Sequence, residues 1–344
     1  MKFSIRNPFT EDLAIDLGTV HTFVYAPNRG MVVNEPSLVA IDRINGDVVA
    51  VGNEALEMLG RSAEDVEVAY PMREGVVADS QLAQKMLARF VRKARGGLAR
   101  LSRRVVLAVP SNITSVERFA IRDVVKGIGV SRVYLVEEGL AAAIGVKLPI
   151  TEVNACMVVD IGGGTTSIAV IANSGIVESQ TIRVGGLDMD LAIKNYIKQR
   201  YHVLIGERTA ERLKMEIGSA TEPPEERVSI VKGQSLDGGG PAVAQVTCFD
   251  VYNSINATIK QIIDSVRRVL EEIPPEVASD IHDRGLTLTG GMSLLAGMDA
   301  RIGEAIRLKV DIAESPRQSV GRGAIALFDQ PLLLRRIARN VEMA

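Results

Sequence analysis

Two hydrophobic rhythms alternate along the chain. Leu13–Leu17, Val105–Val109, Arg132–Val136 and Met157–Ile161 are short apolar runs that stop at turn residues or charges. Runs of that length and bounding read as buried strands. Between them the apolar positions recur every three to four residues. Ser80–Arg95 places Leu82, Met86, Leu87, Phe90, Val91 and Ala94 on one helical face, and Gly96-Gly97 stops it. Thr114 with Glu117 three residues on forms a capping box for a helix reaching about Lys126. Phe249–Glu272 continues a helical period until Pro274-Pro275. Strands alternating with helices predict an α/β protein.

One pattern occurs twice. Asp16-Leu17-Gly18-Thr19-Val20-His21-Thr22 and Asp160-Ile161-Gly162-Gly163-Gly164-Thr165-Thr166 share Asp-apolar-Gly-x-x-x-Thr, each after an apolar strand. Two copies this far apart predict two similar halves facing each other, each built on its own sheet. The boundary falls near Pro149–Asn154. Two stretches interrupt the halves, roughly Met31–Glu67 and roughly Gly186–Thr247. The second contains Pro223-Pro224 and the glycine run Asp237–Pro241.

Composition narrows the classes. A chain of 344 residues, 47% of them hydrophobic, is long enough for about two domains with a sizeable core. A net charge of only -2 argues against a generic nucleic-acid binder. Cys156 and Cys248 match no metal or redox spacing, which fits a reducing cytosol. His21, His202 and His282 are scattered, against a histidine metal site. The first residues show no signal-peptide pattern, and no run of about 20 apolar residues is present to span a membrane.

The repeated motif carries the chemistry. A strand ending in Asp and Gly turns tightly, and its backbone N–H groups form a nest for phosphate oxygens. Thr19, Thr22, Thr165 and Thr166 add hydroxyls. Bare carboxylates would repel phosphates, so Asp16 and Asp160 make sense there with a Mg²⁺ ion that keeps its waters. One such copy alone is ordinary turn chemistry; the second copy in matched context favours the phosphate reading. A third glycine site, Gly290-Gly291-Met292, follows the apolar run Leu286–Thr289. It fits either a flat base lying on backbone or a plain strand-to-helix turn. Glu211 and Lys214 lie one helical turn apart, which fits a ribose and base-edge contact or a solvated ion pair.

Taken in order, these segments resemble the actin superfamily, and most closely its MreB-type bacterial actins. The likeness is carried by Ile15–Thr19, Val33-Asn34-Glu35-Pro36-Ser37, Asp160–Thr166, Leu204-Ile205-Gly206-Glu207, Thr209-Ala210-Glu211-Arg212 and Pro274–Ile281, and extends from about Glu11 to Asp329. The resemblance implies an actin-like ATPase fold: two ribonuclease H-like halves around a nucleotide cleft, with four subdomains. Residues 1–149 would form the first half, with 31–67 as its small subdomain and 315–344 returning to it. Residues 150–314 would form the second, with 186–247 as its small subdomain. It further implies ATP and Mg²⁺ as ligands. Asp16 and Asp160 would meet the metal through water. Gly18, Thr19, Val20, Gly162, Gly163, Gly164 and Thr165 would line the phosphates. Glu211, Lys214, Gly290, Gly291 and Met292 would contact the nucleoside. The family's catalytic glutamate corresponds to Glu138, with Glu137 beside it, where a carboxylate orients the attacking water. The same two glutamates also suit a helix start on dipole grounds alone.

The chain departs from the family pattern at four places bordering the nucleotide. Gly139 stands where proline is usual, Val20-His21 where Ala-Asn is usual, Ser167 where Glu is common, and Met292 where a third glycine is usual. Gly139 bears on how firmly Glu138 is held, because proline presets φ and glycine does not. Arg89–Arg104 carries seven cations and no acid, with Leu98 and Leu101 between them, at the position of the family's membrane-insertion loop. A solvated basic helix end is the other reading of that segment. The resemblance implies a cytoskeletal ATPase whose filaments, built of paired protofilaments, lie on the anionic inner face of the membrane, with the cell-wall elongation machinery as partner. A nucleotide-bound scaffold without hydrolysis, or a small-molecule kinase of the same superfamily, would share the motifs.

Overall fold

The computed structural model describes residues 10–60, 65–95, 101–111 and 113–341. From the N-terminal side come strands β1 (Thr10–Leu17), β2 (His21–Ala26), β3 (Gly30–Pro36), β4 (Val39–Asp42) and β5 (Val48–Val51) and helix α1 (Asn53–Met58). Then follow β6 (Val66–Ala69), β7 (Met72–Arg73), β8 (Val76–Val77), α2 (Ser80–Ala94), β9 (Leu101–Val109), α3 (Ser115–Lys126), β10 (Val130–Glu137) and α4 (Glu138–Gly145). The middle holds β11 (Cys156–Ile161), β12 (Thr166–Ala172), β13 (Gly175–Ile182), α5 (Gly186–Tyr201), β14 (Val203–Leu204), α6 (Glu207–Ile217), β15 (Val228–Ser235) and β16 (Pro241–Thr247). Next are α7 (Cys248–Glu272), α8 (Pro275–Arg284), β17 (Leu286–Thr289), α9 (Met298–Ile306) and β18 (Val310–Ile312), and last α10 (Ser319–Ala326), α11 (Pro331–Ile337) and β19 (Arg339–Val341).

The described residues divide into two compact units, 10–153 with 171–176 and 318–341, and 154–170 with 177–317. Each unit is built on one large sheet. The first sheet runs β19-β10-β9-β1-β2-β3, and the second β13-β12-β11-β17-β18. β1, β9 and β10 are parallel, as are β11, β17 and β18. In both sheets the strand ending in the repeated motif has a parallel strand on one side and the next two strands of the chain on the other. The sequence repeat is therefore also a repeat of topology.

Local chemistry accounts for the elements around the first sheet. Leu13, Ile15, Leu107 and Leu135 point to one face, where they meet Met86, Leu87 and Phe90 of α2 and Val124 and Val125 of α3. Burying a side chain such as Phe90 is worth about 1.5–3 kcal/mol, and α2 buries six residues at helical spacing. Asp79 caps α2 by accepting from the Leu82 N–H, and the expected Thr114–Glu117 box caps α3. The opposite face is covered by α4 and α10. These two helices touch backbone to backbone: a Cβ on Gly323 would lie 1.7 Å from the Ala141 carbonyl oxygen, and one on Gly145 1.8 Å from that of Ser319.

Two expectations change in detail. Residues 31–36 belong to β3 of the large sheet, paired with β2, so the small three-stranded sheet β5-β4-β6 starts only at Val39. Leu101 is not in a loop: it opens the nine-residue strand β9, opposite Thr10 of β1, because β1 is long enough to give it a partner. Leu98 lies outside the described residues. The basic segment is also less free than its composition implied. Arg89 donates to the carbonyls of Val48 and Val49, Lys93 pairs with Glu35, Arg95 donates to the Ile128 carbonyl, and Arg104 pairs with Asp12. No helix among the described residues is long and apolar enough to cross a membrane.

Candidate functional site

The two motif copies fold into the same turn. The Gly18 N–H donates to the His21 carbonyl at 3.1 Å, and the Gly162 N–H donates to the Thr165 carbonyl at 2.8 Å. A Cβ at Gly18 would sit 2.7 Å from the His21 oxygen, and one at Gly162 3.2 Å from the Thr165 oxygen. The chain folds back so closely that a Cβ would clash at Gly18 and be tight at Gly162. Turns of this kind gather backbone N–H groups in one concavity, which suits an anion.

Each loop is braced by its own unit. In the first, the Ser37 hydroxyl donates to the Gly18 carbonyl at 2.6 Å and the Ser37 N–H donates to the Val20 carbonyl at 2.8 Å. Ser37 thus holds both ends of the loop, which gives the segment Val33–Ser37 a physical role. The Thr19 hydroxyl accepts from the Gly75 N–H at 2.8 Å. In the second, the first turn of α5 does the work: Gly186 N–H donates to the Gly162 carbonyl at 3.0 Å and Leu187 N–H to the Gly163 carbonyl at 2.8 Å. Those are donors a helix start leaves open, and here they fix the loop's carbonyls.

The motif's shared threonines are structural. Thr22 Oγ1 lies 2.9 Å from Ser37 Oγ, and Thr166 Oγ1 donates to the Val184 carbonyl at 2.8 Å; both residues are fully buried. Neither hydroxyl faces the concavity as expected. A buried hydroxyl without a partner is penalised, so these bonds form inside the sheet edge. Thr19 and Thr165 remain in the turns themselves, both largely buried.

In the first unit, Asp16 pairs across from Ala108 of β9, and Ala108 pairs across from Val136 of β10. Asp16 and the Glu137–Glu138 pair therefore end parallel strands at the same edge of the sheet, with one strand between them. That puts their backbones about 10 Å apart. Glu138 is the first residue of α4 and is buried, as are all residues from it to Ile144. α4 thus packs closely against α10. Beside Asp16, burial and then the Asp16 charge push the Tyr25 phenol well above its usual range, so it stays neutral at ordinary pH.

In the second unit, Asp160 is buried and pairs across from Thr289, the last residue of β17. This register sets the third glycine site beside the second loop. Gly290 takes φ 85°, and a Cβ there would lie 2.3 Å from the Ile161 carbonyl oxygen. Gly291 has only Arg317 Nε within 4.0 Å of a Cβ position. Met292 rests on Gly186: a Cβ on Gly186 would be 2.6 Å from the thioether sulfur. Glu211 is exposed on α6. Lys214 is buried, and its partner is Asp190 of α5. Sequence reasoning missed Asp190. The signal was Lys214 itself, set among Ala210, Leu213 and Ile217 on the apolar face of α6, since a buried cation requires an anion.

Of the sequence-singled residues, the first unit gathers Asp16, Gly18, Thr19, Val20, Glu137 and Glu138 at one sheet edge. The second gathers Asp160, Gly162–Thr165, Lys214 and Gly290–Met292. The described residues contain no group of three or more His, Cys, Asp or Glu able to hold a metal. A lone carboxylate beside each glycine turn suits Mg²⁺ that keeps most of its waters and meets phosphate, and does not suit an all-protein cage.

The family model described as MreB/Mbl protein matches residues 10–335. The cell shape-determining protein MreB of Escherichia coli (strain K12) is 44% identical over 323 residues, covering 92% of this chain and 93% of that protein. Mbl of Bacillus subtilis (strain 168), also named cell shape-determining, is 38% identical over 321 residues, covering 93% and 96%. Among solved structures, MreB5 of Spiroplasma citri bound to ADP superposes with a TM-score of 0.89 at 32% identity, covering 96% of this chain and 99% of that one. The fold of the chain is accordingly actin-like.

Proposed function

The chain belongs to the MreB/Mbl family, and on that premise we propose that it is a cytoskeletal, actin-like ATPase that polymerises with ATP–Mg. The observation that carries the reading is the glycine turn built twice, each at the end of a strand that bears an aspartate two residues before the glycine. Two such turns give phosphate-binding backbone, and two aspartates give outer-sphere contacts for a metal. The ADP-bound relative, and a second MreB5 structure of Spiroplasma citri bound to AMPPNP, support an adenosine nucleotide as the ligand. The names of the Escherichia coli and Bacillus subtilis relatives support a role in cell shape.

In this reading Gly18, Thr19 and Val20 with Gly162–Thr165 hold the phosphates. Mg²⁺, when bound, neutralises phosphate charge, and Asp16 and Asp160 hold its waters. Gly290 and Gly291 support the base, and Glu211 on its exposed face reaches the ribose. Glu138 orients the attacking water and Glu137 assists. A carboxylate fixed before the reaction needs no reorganisation in the transition state. The tight seat of α4 on α10 therefore favours hydrolysis over a scaffold that only holds nucleotide.

Filaments then lie on the anionic inner face of the cell membrane through Leu98 and Leu101. Because Lys93 and Arg104 are paired with Glu35 and Asp12, the charge contribution of each subunit is reduced. Attachment then depends on many subunits presented together. The test is electron microscopy and co-sedimentation of the purified protein with ATP–Mg, without vesicles and with neutral or anionic ones. Filaments that need ATP–Mg and pellet with anionic vesicles are the expected result. No filaments under any nucleotide condition would overturn the cytoskeletal reading. Pelleting of Leu98→Ser/Leu101→Ser filaments at the parent level would overturn the anchor alone.

A further inference from the structure

Tyr25 carries a polar atom that the fold leaves without a protein partner. The residue is 3% exposed, and its hydroxyl is buried with no hydrogen-bond partner among the described residues. A buried hydroxyl left in that way is penalised, so its presence in a native core asks for a reason. Its place in the first sheet supplies one. Side chains alternate between the two faces along a strand. Val24 and Ala26 of β2 join Leu13, Ile15 and Leu17 of β1 in the core against α2, so Tyr25 and Asp16 share the other face. Ala14 lies opposite Tyr25, and Asp16 opposite Phe23. Tyr25 is therefore the diagonal neighbour of Asp16, a separation of about 7–8 Å that an aromatic side chain spans. The ring is seated on α10: a Cβ on Gly321 would lie 2.1 Å from Tyr25 Cε2 and 2.8 Å from Cζ. Lodged against helix backbone, it has little room to swing aside.

We propose that Tyr25 is a positioning residue for the metal end of the site, its hydroxyl donating through an enclosed water to Asp16 and so orienting that carboxylate toward the waters of Mg²⁺. The inference rests on the nucleotide reading above. A phenolic O–H needs an acceptor, and an ionised carboxylate only accepts. Arg322 of α10 is the other charge near the phenol. A guanidinium only donates, so it leaves the phenolic proton for Asp16. A water between phenol and carboxylate has the two polar partners that a buried water requires. Burial first, and the Asp16 charge second, keep the phenol protonated. A carboxylate that meets its metal only through water has no coordinate bond to fix it, so its orientation comes from hydrogen bonds on the protein side. The second motif copy lacks the device: nine residues after Asp160, where Tyr25 follows Asp16, stands Ala169.

The experiment measures binding of a fluorescent ADP analogue to the full chain, in EDTA and across a magnesium titration. The variants are Tyr25→Phe, Asp16→Asn, Asp160→Asn and the two double variants that join Tyr25→Phe to each aspartate change. Tyr25→Phe removes one oxygen and keeps the ring on Gly321, so it should fold; circular dichroism checks this. It should raise the half-saturating magnesium concentration roughly tenfold, while affinity in EDTA stays within about twofold of the parent. In the Asp16→Asn background Tyr25→Phe should add less than about twofold, and in the Asp160→Asn background it should keep its full effect, because only groups that act together fail to add. An unchanged magnesium midpoint in Tyr25→Phe would overturn the proposal. So would an equal loss of ADP with and without magnesium, which marks a merely structural tyrosine, or a full effect in the Asp16→Asn background. Should Asp16→Asn bind too weakly to measure, the Tyr25→Phe titration alone decides. A parent that binds no ADP, or binds it independently of magnesium, would instead remove the ATP–Mg reading, and the role of Tyr25 with it.

Discussion

Replacing Gly323 by alanine inserts one methyl group at the α4–α10 contact. That methyl would lie 1.7 Å from the Ala141 carbonyl oxygen, 2.7 Å from its carbon and 2.9 Å from the Gly145 nitrogen. All three are backbone atoms, so no rotamer change relieves the clash. The helices must part by roughly 1 Å or more, and overpacking of this kind costs ~1–3 kcal/mol, with backbone clashes at the upper end. Alanine regains about 1 kcal/mol of helix propensity over glycine, which leaves a net loss of about 2 kcal/mol. Urea unfolding of the nucleotide-free protein should show a lower midpoint with an unchanged slope. Gly238→Ala is the control, because nothing lies within 4 Å of its Cβ position; it should stay within about 0.5 kcal/mol of the parent. Since Glu138 is the first residue of α4, phosphate release should fall in Gly323→Ala while ADP affinity holds. A Gly323→Ala protein as stable as the control would refute the packing argument. One that is destabilised yet turns over normally would refute the claim that this contact seats Glu138.

Other outcomes follow from the same geometry. Glu138→Ala should lower ATP turnover about 10²-fold or more with little change in ATP affinity, and by more than Glu137→Ala, because water positioning acts in the transition state; equal losses in steady-state phosphate release would remove the distinction. ATP–Mg at ~100 times its dissociation constant should raise stability by about 2.7 kcal/mol, and this thermal shift should shrink in Asp160→Ala and in Gly162→Val. The pH dependence has a definite sign at Asp190. Burial, partly offset by Lys214, raises its carboxyl from 3.8 to about 6. The folded protein therefore holds that proton more tightly, and the associated stability is present below pH 3.8 and lost as pH rises through about 6. Asp190→Asn cannot titrate but leaves Lys214 without its anion, so it should be the less stable protein, with its deficit shrinking as pH rises from 4 to 7. A variant-minus-parent difference in melting that stays flat over that range would contradict the assignment.

Much was legible before any coordinates. Strand-length apolar runs and helical periodicity located β1, β9, β10, β11, α2, α3 and α7, because one face of each is buried and that requirement is written in the local pattern. The repeated Asp-apolar-Gly-x-x-x-Thr located both turns, because the chain returns closely on its glycine, too closely for a Cβ at Gly18 and tightly at Gly162. What the local pattern could not supply was partnership. Nothing near Thr22 or Thr166 indicates that their hydroxyls turn inward to Ser37 and Val184. The cations of the basic segment appeared free until Val48, Glu35, Ile128 and Asp12, distant in sequence, proved to accept from them. Gly139 gave no sign of what α4 packs against, which is Gly323 of α10, more than 170 residues later. Lys214 required a buried anion, but only the packing of α6 on α5 made that anion Asp190. Backbone conformation and burial are local demands that a sequence states by itself. Which donor meets which acceptor depends on where the chain brings distant residues together, and that was decided by tertiary structure.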